Sequence, residues 1–141
     1  MSLGSQLKLT DNKRISDLDE LIRSMNPRLN DGVFVFVSVP PEADTAGLRP
    51  IATFLEDEGI SMIVEESQIE GTKFDVLFRS AWITLSVNSD LNAVGLTAAV
   101  ANALADREIS CNIVAAAHHD HLFVPIGAAK EAMAALVDLQ R

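Results

Sequence analysis

The sequence predicts an α+β fold with a β-α-β-β-α unit in its second half, and three observations predict it. Ile83, Leu85 and Val87 alternate with Thr84 and Ser86, which is the period of a strand. The run Leu91 to Arg107 is rich in Ala, Leu and Val and has the length of a helix. Two β-rich runs follow, Ser110 to Ala117 and His121 to Ile126, joined by a tight His118-His119-Asp120 connection.

Taken from the start, residues 1–16 form a tail or a cloning scar, and Met1-Ser2-Leu3 is assigned no function. Ser16 reads as a helix N-cap with Asp19 in a weaker capping-box position. Leu18, Leu21, Ile22 and Met25 recur at helical spacing, so a helix spans Asp17–Met25 until Asn26-Pro27 stops it. Gly32 to Val39 is β-branched and aromatic on both faces, as in a strand covered on both sides, and Pro40-Pro41 closes it. The stretch Leu48 to Glu65 admits two readings. Leu48, Ile51, Ala52 and Leu55 fit a helix, whereas Asp57-Glu58-Gly59 followed by Ile60 to Val64 reads as a turn entering a strand. A short helix over Glu66 to Thr72 and a linker from Lys73 to Ala81 complete the first half.

In the second half, Asn88-Ser89-Asp90 offers N-cap side chains to the helix beginning at Leu91. Ala128 to Leu139 makes the last helix, with Met133, Leu136, Val137 and Gln140 along one side. This order is most of a ferredoxin-like unit. Alternation puts Trp82, Val114 and Phe123 on the outer face of its sheet together with Thr84, Ser86 and Asn112. A solvated face rarely carries so much apolar surface, so either the N-terminal strands or a second copy of the chain must cover it.

The chain has 141 residues, 48% of them apolar and spread along its length, which fits one domain or two very small ones around a shared core. Its net charge of −9 repels nucleic acid and anionic membrane surfaces. No apolar run approaches the roughly 18 residues of a membrane span, and the N-terminus lacks a secretion pattern. The lone Cys111 cannot form an internal disulfide, which fits a reducing, cytoplasmic setting. Glu56-Asp57-Glu58, the tightest acidic run, reads as a solvated turn.

Three places invite chemistry. Extended backbone through His118-His119-Asp120-His121 would point His119 and His121 one way, the start of a metal site or simply a polar hairpin. Zinc needs three or four ligands, and no CxxC or HExxH pattern supplies them, so no metal or other cofactor is expected. Cys111 could pair with one of the histidines, but alternation places it with Ile113 and Ala115 on the core face, where a thiol is inert packing. No paired carboxylates or nucleophile–base arrangement is legible, and no enzyme is expected. Asp90-Leu91-Asn92-Ala93-Val94-Gly95 leaves a strand and enters a helix, whose first N–H groups are free to meet a carboxylate. Gly95 there lets a ligand or another backbone approach closely, although an ordinary capped helix would also carry this pattern.

These residues carry a resemblance. The strand Ile83 to Val87, the loop Asp90 to Gly95, the helix ending near Arg107-Glu108-Ile109 and the strand Asp120 to Val124 resemble ACT domains. From Asp17 onward the chain resembles a bacterial family of short ACT-containing proteins of unassigned function. The likeness rests on SMNPRLNDGVFVFVSVP (Ser24 to Pro40), PIATFLEDEGISMIV (Pro50 to Val64), AVGLTAAVANALA (Ala93 to Ala105) and HDHLFVP (His119 to Pro125). The second half is similar in turn to arginine sensors built from ACT repeats. That resemblance implies an incomplete ACT-like half over residues 17–75, an ACT domain over 80–141, and a hairpin rather than a helix in the Pro50 to Val64 stretch. It implies a small-molecule sensor, with an amino acid held by Val94, Gly95 and Asp120. Asp90, Asn92, Ala93, Asn112 and His118 complete the expected ligand site; many relatives carry an aromatic residue where this chain has Ala117, so that piece of the pocket wall is either missing or replaced by His118. It implies a homodimer as well. A fold that kept its shape and lost its ligand, serving as a structural or partner-binding protein, is the alternative; a histidine-dependent metal protein is a remote one.

Overall fold

Alternating apolar residues in the first half and the second converge on one sheet. The computed structural model describes residues 17–141, so the tail and the proposed Ser16 cap lie outside the described residues. Helix α1 (Leu18–Arg23) is capped by Asp17, whose Oδ1 accepts from the Glu20 N–H at 3.0 Å. It stops before the expected Met25, and Pro27–Leu29 forms a short strand β1 that the sequence analysis did not foresee. Strand β2 (Phe34–Val39) is followed by the hairpin of β3 (Ala52–Leu55) and β4 (Ile60–Glu65). The hairpin reading of this stretch therefore holds and the helical one fails. Glu56 and Gly59 close the turn through mutual backbone hydrogen bonds of 3.0 and 3.3 Å. A single 3₁₀ turn (Glu66–Ile69) stands where a short helix is expected.

Lys73 to Ala81 is not a linker. Strand β5 runs from Val76 to Leu85 and pairs along one edge with β2 and β1 and along the other with β7. Ser80 sits where the two halves meet, opposite Phe34 of β2 and Pro125 of β7. It is fully buried, and its hydroxyl donates to the Phe34 carbonyl at 2.6 Å, so a polar residue is satisfied at the centre of the sheet. The neighbouring Arg79 forms an ion pair with Glu66, which raises the arginine and lowers the glutamate pKa through their hydrogen bond. Both polar residues mimic a loop in sequence because their partners are distant.

Helix α2 (Leu96–Ala105), strands β6 (Asn112–Ala115) and β7 (Asp120–Pro125), a 3₁₀ turn (Ile126–Ala128) and helix α3 (Ala129–Leu139) complete the chain. Among the described residues the strands form one antiparallel sheet in the order β3-β4-β2-β5-β7-β6, with β1 beside β5. On one face Ile83, Leu85, Leu122 and Val124 pack against Leu96, Val100 and Leu104 of α2, Ala135 and Leu136 of α3, and Leu21 of α1. The buried stripe of α3 is Ala132, Ala135 and Leu136, whereas Val137, expected beside Leu136, is 42% exposed. The first half has no helix between β2 and β3; Leu48, Ile69 and Phe74 cover Val35, Val37 and Val64 instead.

The opposite face answers what covers Trp82 and Phe123. Aromatic side chains of β2 turn edge-on to them, Phe34 to Trp82 at 5.1 Å and Phe36 to Phe123 at 5.5 Å between centroids. Val114 of β6 shares a cavity of about 220 Å³ with Phe36, Phe54 and Ile63, so the two ends of the sheet curve toward each other. Phe123 is fully buried within one chain. The N-terminal strands are thus the cover, and this face requires no second copy.

His121 belongs to this face. Its Nδ1 accepts from the Trp82 indole N–H at 3.0 Å and lies 3.2 Å from the Thr84 hydroxyl, which the Asn30 amide supports at 3.0 Å. Burial is the main cause of a lowered His121 pKa; nearby His119 and Arg28 add to it and Asp120 opposes it. A depressed folded pKa means the unfolded chain binds the proton more readily. Stability from the neutral ring is therefore present above about pH 6.5 and lost as pH falls below it toward the folded pKa. Urea denaturation followed by Trp82 fluorescence should show the wild type losing more stability between pH 7.5 and 5.5 than His121→Gln. Identical losses would show that His121 does not titrate with unfolding.

Candidate ligand-binding site

The site starts where β5 ends. Asp90 folds back on its own loop, its Oδ1 accepting from the Asn92 N–H and its carbonyl from the Ala93 N–H, each at 2.9 Å. This Asx turn occupies residues that were expected to be helical. Gly95 then adopts φ +106°, and α2 begins only at Leu96, five residues later than the expected Leu91. None of Asn88, Ser89 or Asp90 caps the helix: its N-cap is Gly95, which has no side chain to bond the first turn. The N–H groups of Leu96, Thr97 and Ala98 precede the first intrahelical bond, from the Ala99 N–H to the Gly95 carbonyl at 2.9 Å.

Across from that helix start lies Asp120. The β6–β7 turn is closed by the Ala116 N–H donating to the His119 carbonyl at 3.0 Å, so Asp120 is the first residue of β7 and not part of the turn. It stands opposite Leu85 of β5 and Ala115 of β6, which directs it to the helix-covered face. Only 6% of it is exposed, and the Ser89 hydroxyl donates to its Oδ2 at 3.1 Å. A cavity of about 480 Å³ separates the loop and α2 from Ala115 and Asp120. That volume suits a small-molecule ligand.

Asp90, Ala93, Val94, Gly95 and Asp120 all line this cavity. Asn92, Asn112 and His118 do not. Asn92 is exposed, and its backbone N–H is already bound by Asp90. Asn112 pairs with Phe123 and so faces the aromatic side of the sheet, away from Asp120. His118 lies in the turn with its ring 6.4 Å from that of His119, whose Nδ1 is 3.2 Å from the Val87 carbonyl. Ser89, which supports Asp120, and the small side chains Ala98, Ala101 and Ala115 in the wall were not among the expected residues. Ala115 alone was within reach, because alternation already placed it on the core face with Ile113.

His119 and His121 do not converge: the first turns to Val87 and the second to Trp82. Among the described residues no three His, Cys, Asp or Glu side chains are grouped to hold a metal ion. Cys111 packs half-buried against the core, and burial pushes its thiol up to about 11 from 9.0, far from a reactive thiolate.

Models of the ACT domain match two overlapping parts of the sequence, residues 14–81 and 77–138. The chain belongs to the ACT-domain family. A Vibrio cholerae protein of unknown function, described as a possible transport protein, is 39% identical over 88% of this ACT-domain chain and 96% of its own, with a TM-score of 0.79. An Agrobacterium tumefaciens protein shares the fold at 15% identity, covering 81% of this chain and 87% of its own, TM-score 0.68. The regulatory subunit of aspartate kinase from Thermus flavus does so at 11% identity, covering 82% and 97%, TM-score 0.57. No curated protein matches the chain. ACT domains are typically regulatory, amino-acid-binding modules, and no catalytic family is indicated. Among the described residues no helix is long and apolar enough to cross a membrane.

Proposed function

We propose that this chain is a non-catalytic amino-acid sensor whose ligand occupies the cavity between α2 and Asp120. The observation that carries the reading is the buried Asp120 carboxylate facing, across that cavity, a helix start with no side-chain cap. A zwitterion matches both ends. Its carboxylate meets the N–H groups of Leu96, Thr97 and Ala98, where the helix dipole favours negative charge. Its ammonium group donates to Asp120, which Ser89 holds in place.

Thermal unfolding in the presence of each of the twenty amino acids tests this. A ligand at 100 times its dissociation constant should stabilise the folded state by about 2.7 kcal/mol. A shift with one amino acid or a small group of them is the expected result. No shift with any of them would overturn the sensor reading in favour of a partner-binding module.

A further inference from the structure

We infer that the open edge of β3 pairs antiparallel with the same strand of a second copy of this chain, so that two chains share one continuous sheet. Among the described residues β3 ends the sheet and pairs with β4 alone. The mutual hydrogen bonds of Glu56 and Gly59 fix which of its backbone groups point where. Bonded and unbonded pairs alternate along an antiparallel ladder, so Phe54 opposite Ser61 and Ala52 opposite Ile63 bond to β4. The N–H and C=O groups of Thr53 and Leu55 therefore point away from the sheet. Open edges are commonly guarded by a charge or a proline within the strand, and Ala52-Thr53-Phe54-Leu55 has neither. Instead Phe54 and Leu55 are 73% and 77% exposed, and as strand neighbours they project from opposite faces. A helix or loop laid on one face would cover only one of them, whereas a strand added at the edge flanks both.

Charge and register select a second copy as that strand. Aligned with its own reverse at Phe54, β3 sets Thr53 opposite the partner's Leu55 and Leu55 opposite the partner's Thr53, which engages every outward group. The two Phe54 side chains then form an unbonded pair, the closer kind. Arg49 is exposed, makes no ion pair among the described residues, and is held at the start of β3 by backbone bonds to the Gln68 amide. The same alignment carries it to the partner's Glu58, in the acidic run Glu56-Asp57-Glu58, and the two-fold symmetry repeats the contact. Parallel pairing would instead set the two acidic runs side by side. The edge thus matches its own reverse in backbone, apolar side chains and charge.

Sedimentation equilibrium of the full chain tests this, at about 150 mM salt to screen the net charge of −9. The wild type should form a species of twice the 15.2 kDa chain mass. Thr53→Pro removes an N–H that β4 does not use, so the fold should survive while self-association weakens at least tenfold. Arg49→Glu and Glu58→Arg should each weaken it about threefold or more, and the variant carrying both should regain it. A role for either residue within one chain would not give that recovery. A wild type that stays monomeric at millimolar concentration would overturn the proposal. So would a dimer that Thr53→Pro leaves unchanged. Should Thr53→Pro fail to fold, the charge exchange decides alone: no loss in the single variants, or no recovery in the double, would overturn it.

Discussion

Gly95→Val is expected to destabilise the fold by about 3 kcal/mol and to abolish ligand binding. The residue sits at φ +106°, a region that a β-branched side chain enters only under strain, and such strain costs about 1–3 kcal/mol. Contact adds to it: a Cβ at this position would lie 2.9 Å from Cδ2 of Leu18, the first residue of α1. The tip of Leu18 can yield, but only by disturbing the packing of α1 against the core. Loss of about 3 kcal/mol is a large share of the roughly 5–15 kcal/mol that holds a domain together. Urea denaturation of Gly95→Val, alone and combined with Leu18→Ala, separates the two contributions. The double variant should recover the part due to the clash and keep the part due to backbone strain. A Gly95→Val protein as stable as the wild type would mean that the turn tolerates a side chain and that this account of the α2 start is wrong.

The same turn marks where sequence reasoning succeeded and where it stopped. Helix α2, the β6–β7 hairpin and β2 were legible because their apolar residues repeat at the period of the element that forms. The β3–β4 hairpin was legible only through the resemblance, since Leu48, Ile51 and Leu55 mimic a helical stripe although Leu55 is 77% exposed. Strand β1 and the first half of β5 were not legible. Pro27-Arg28-Leu29 is too short to show a period, and Arg79-Ser80 looks like a loop until Glu66 and Phe34 are brought beside it. For the site, the loop carried a local signal, a strand-to-helix junction, whereas Asp120 was named only through the resemblance. Asn112 could have been set aside by the same alternation that placed it on the outer face. Ser89 could not have been matched to Asp120, thirty-one positions away, without the register of β5 and β7.

Asp120→Asn is expected to have the second large effect, because the buried carboxylate in this cavity would bind the ligand's ammonium group. The substitution keeps the size of the side chain. Its amide oxygen can still accept from the Ser89 hydroxyl, so stability should change little. What disappears is the charge, and a hydrogen bond to a charged group contributes about 1.5–3 kcal/mol, or roughly tenfold to a hundredfold in affinity. Isothermal titration of the best-binding amino acid into wild type and Asp120→Asn, with both melting temperatures recorded, is the measurement. The expected result is a dissociation constant at least tenfold weaker at nearly unchanged melting temperature. Equal affinity in the two proteins would contradict it and leave Asp120 as a residue that only ties β7 to Ser89.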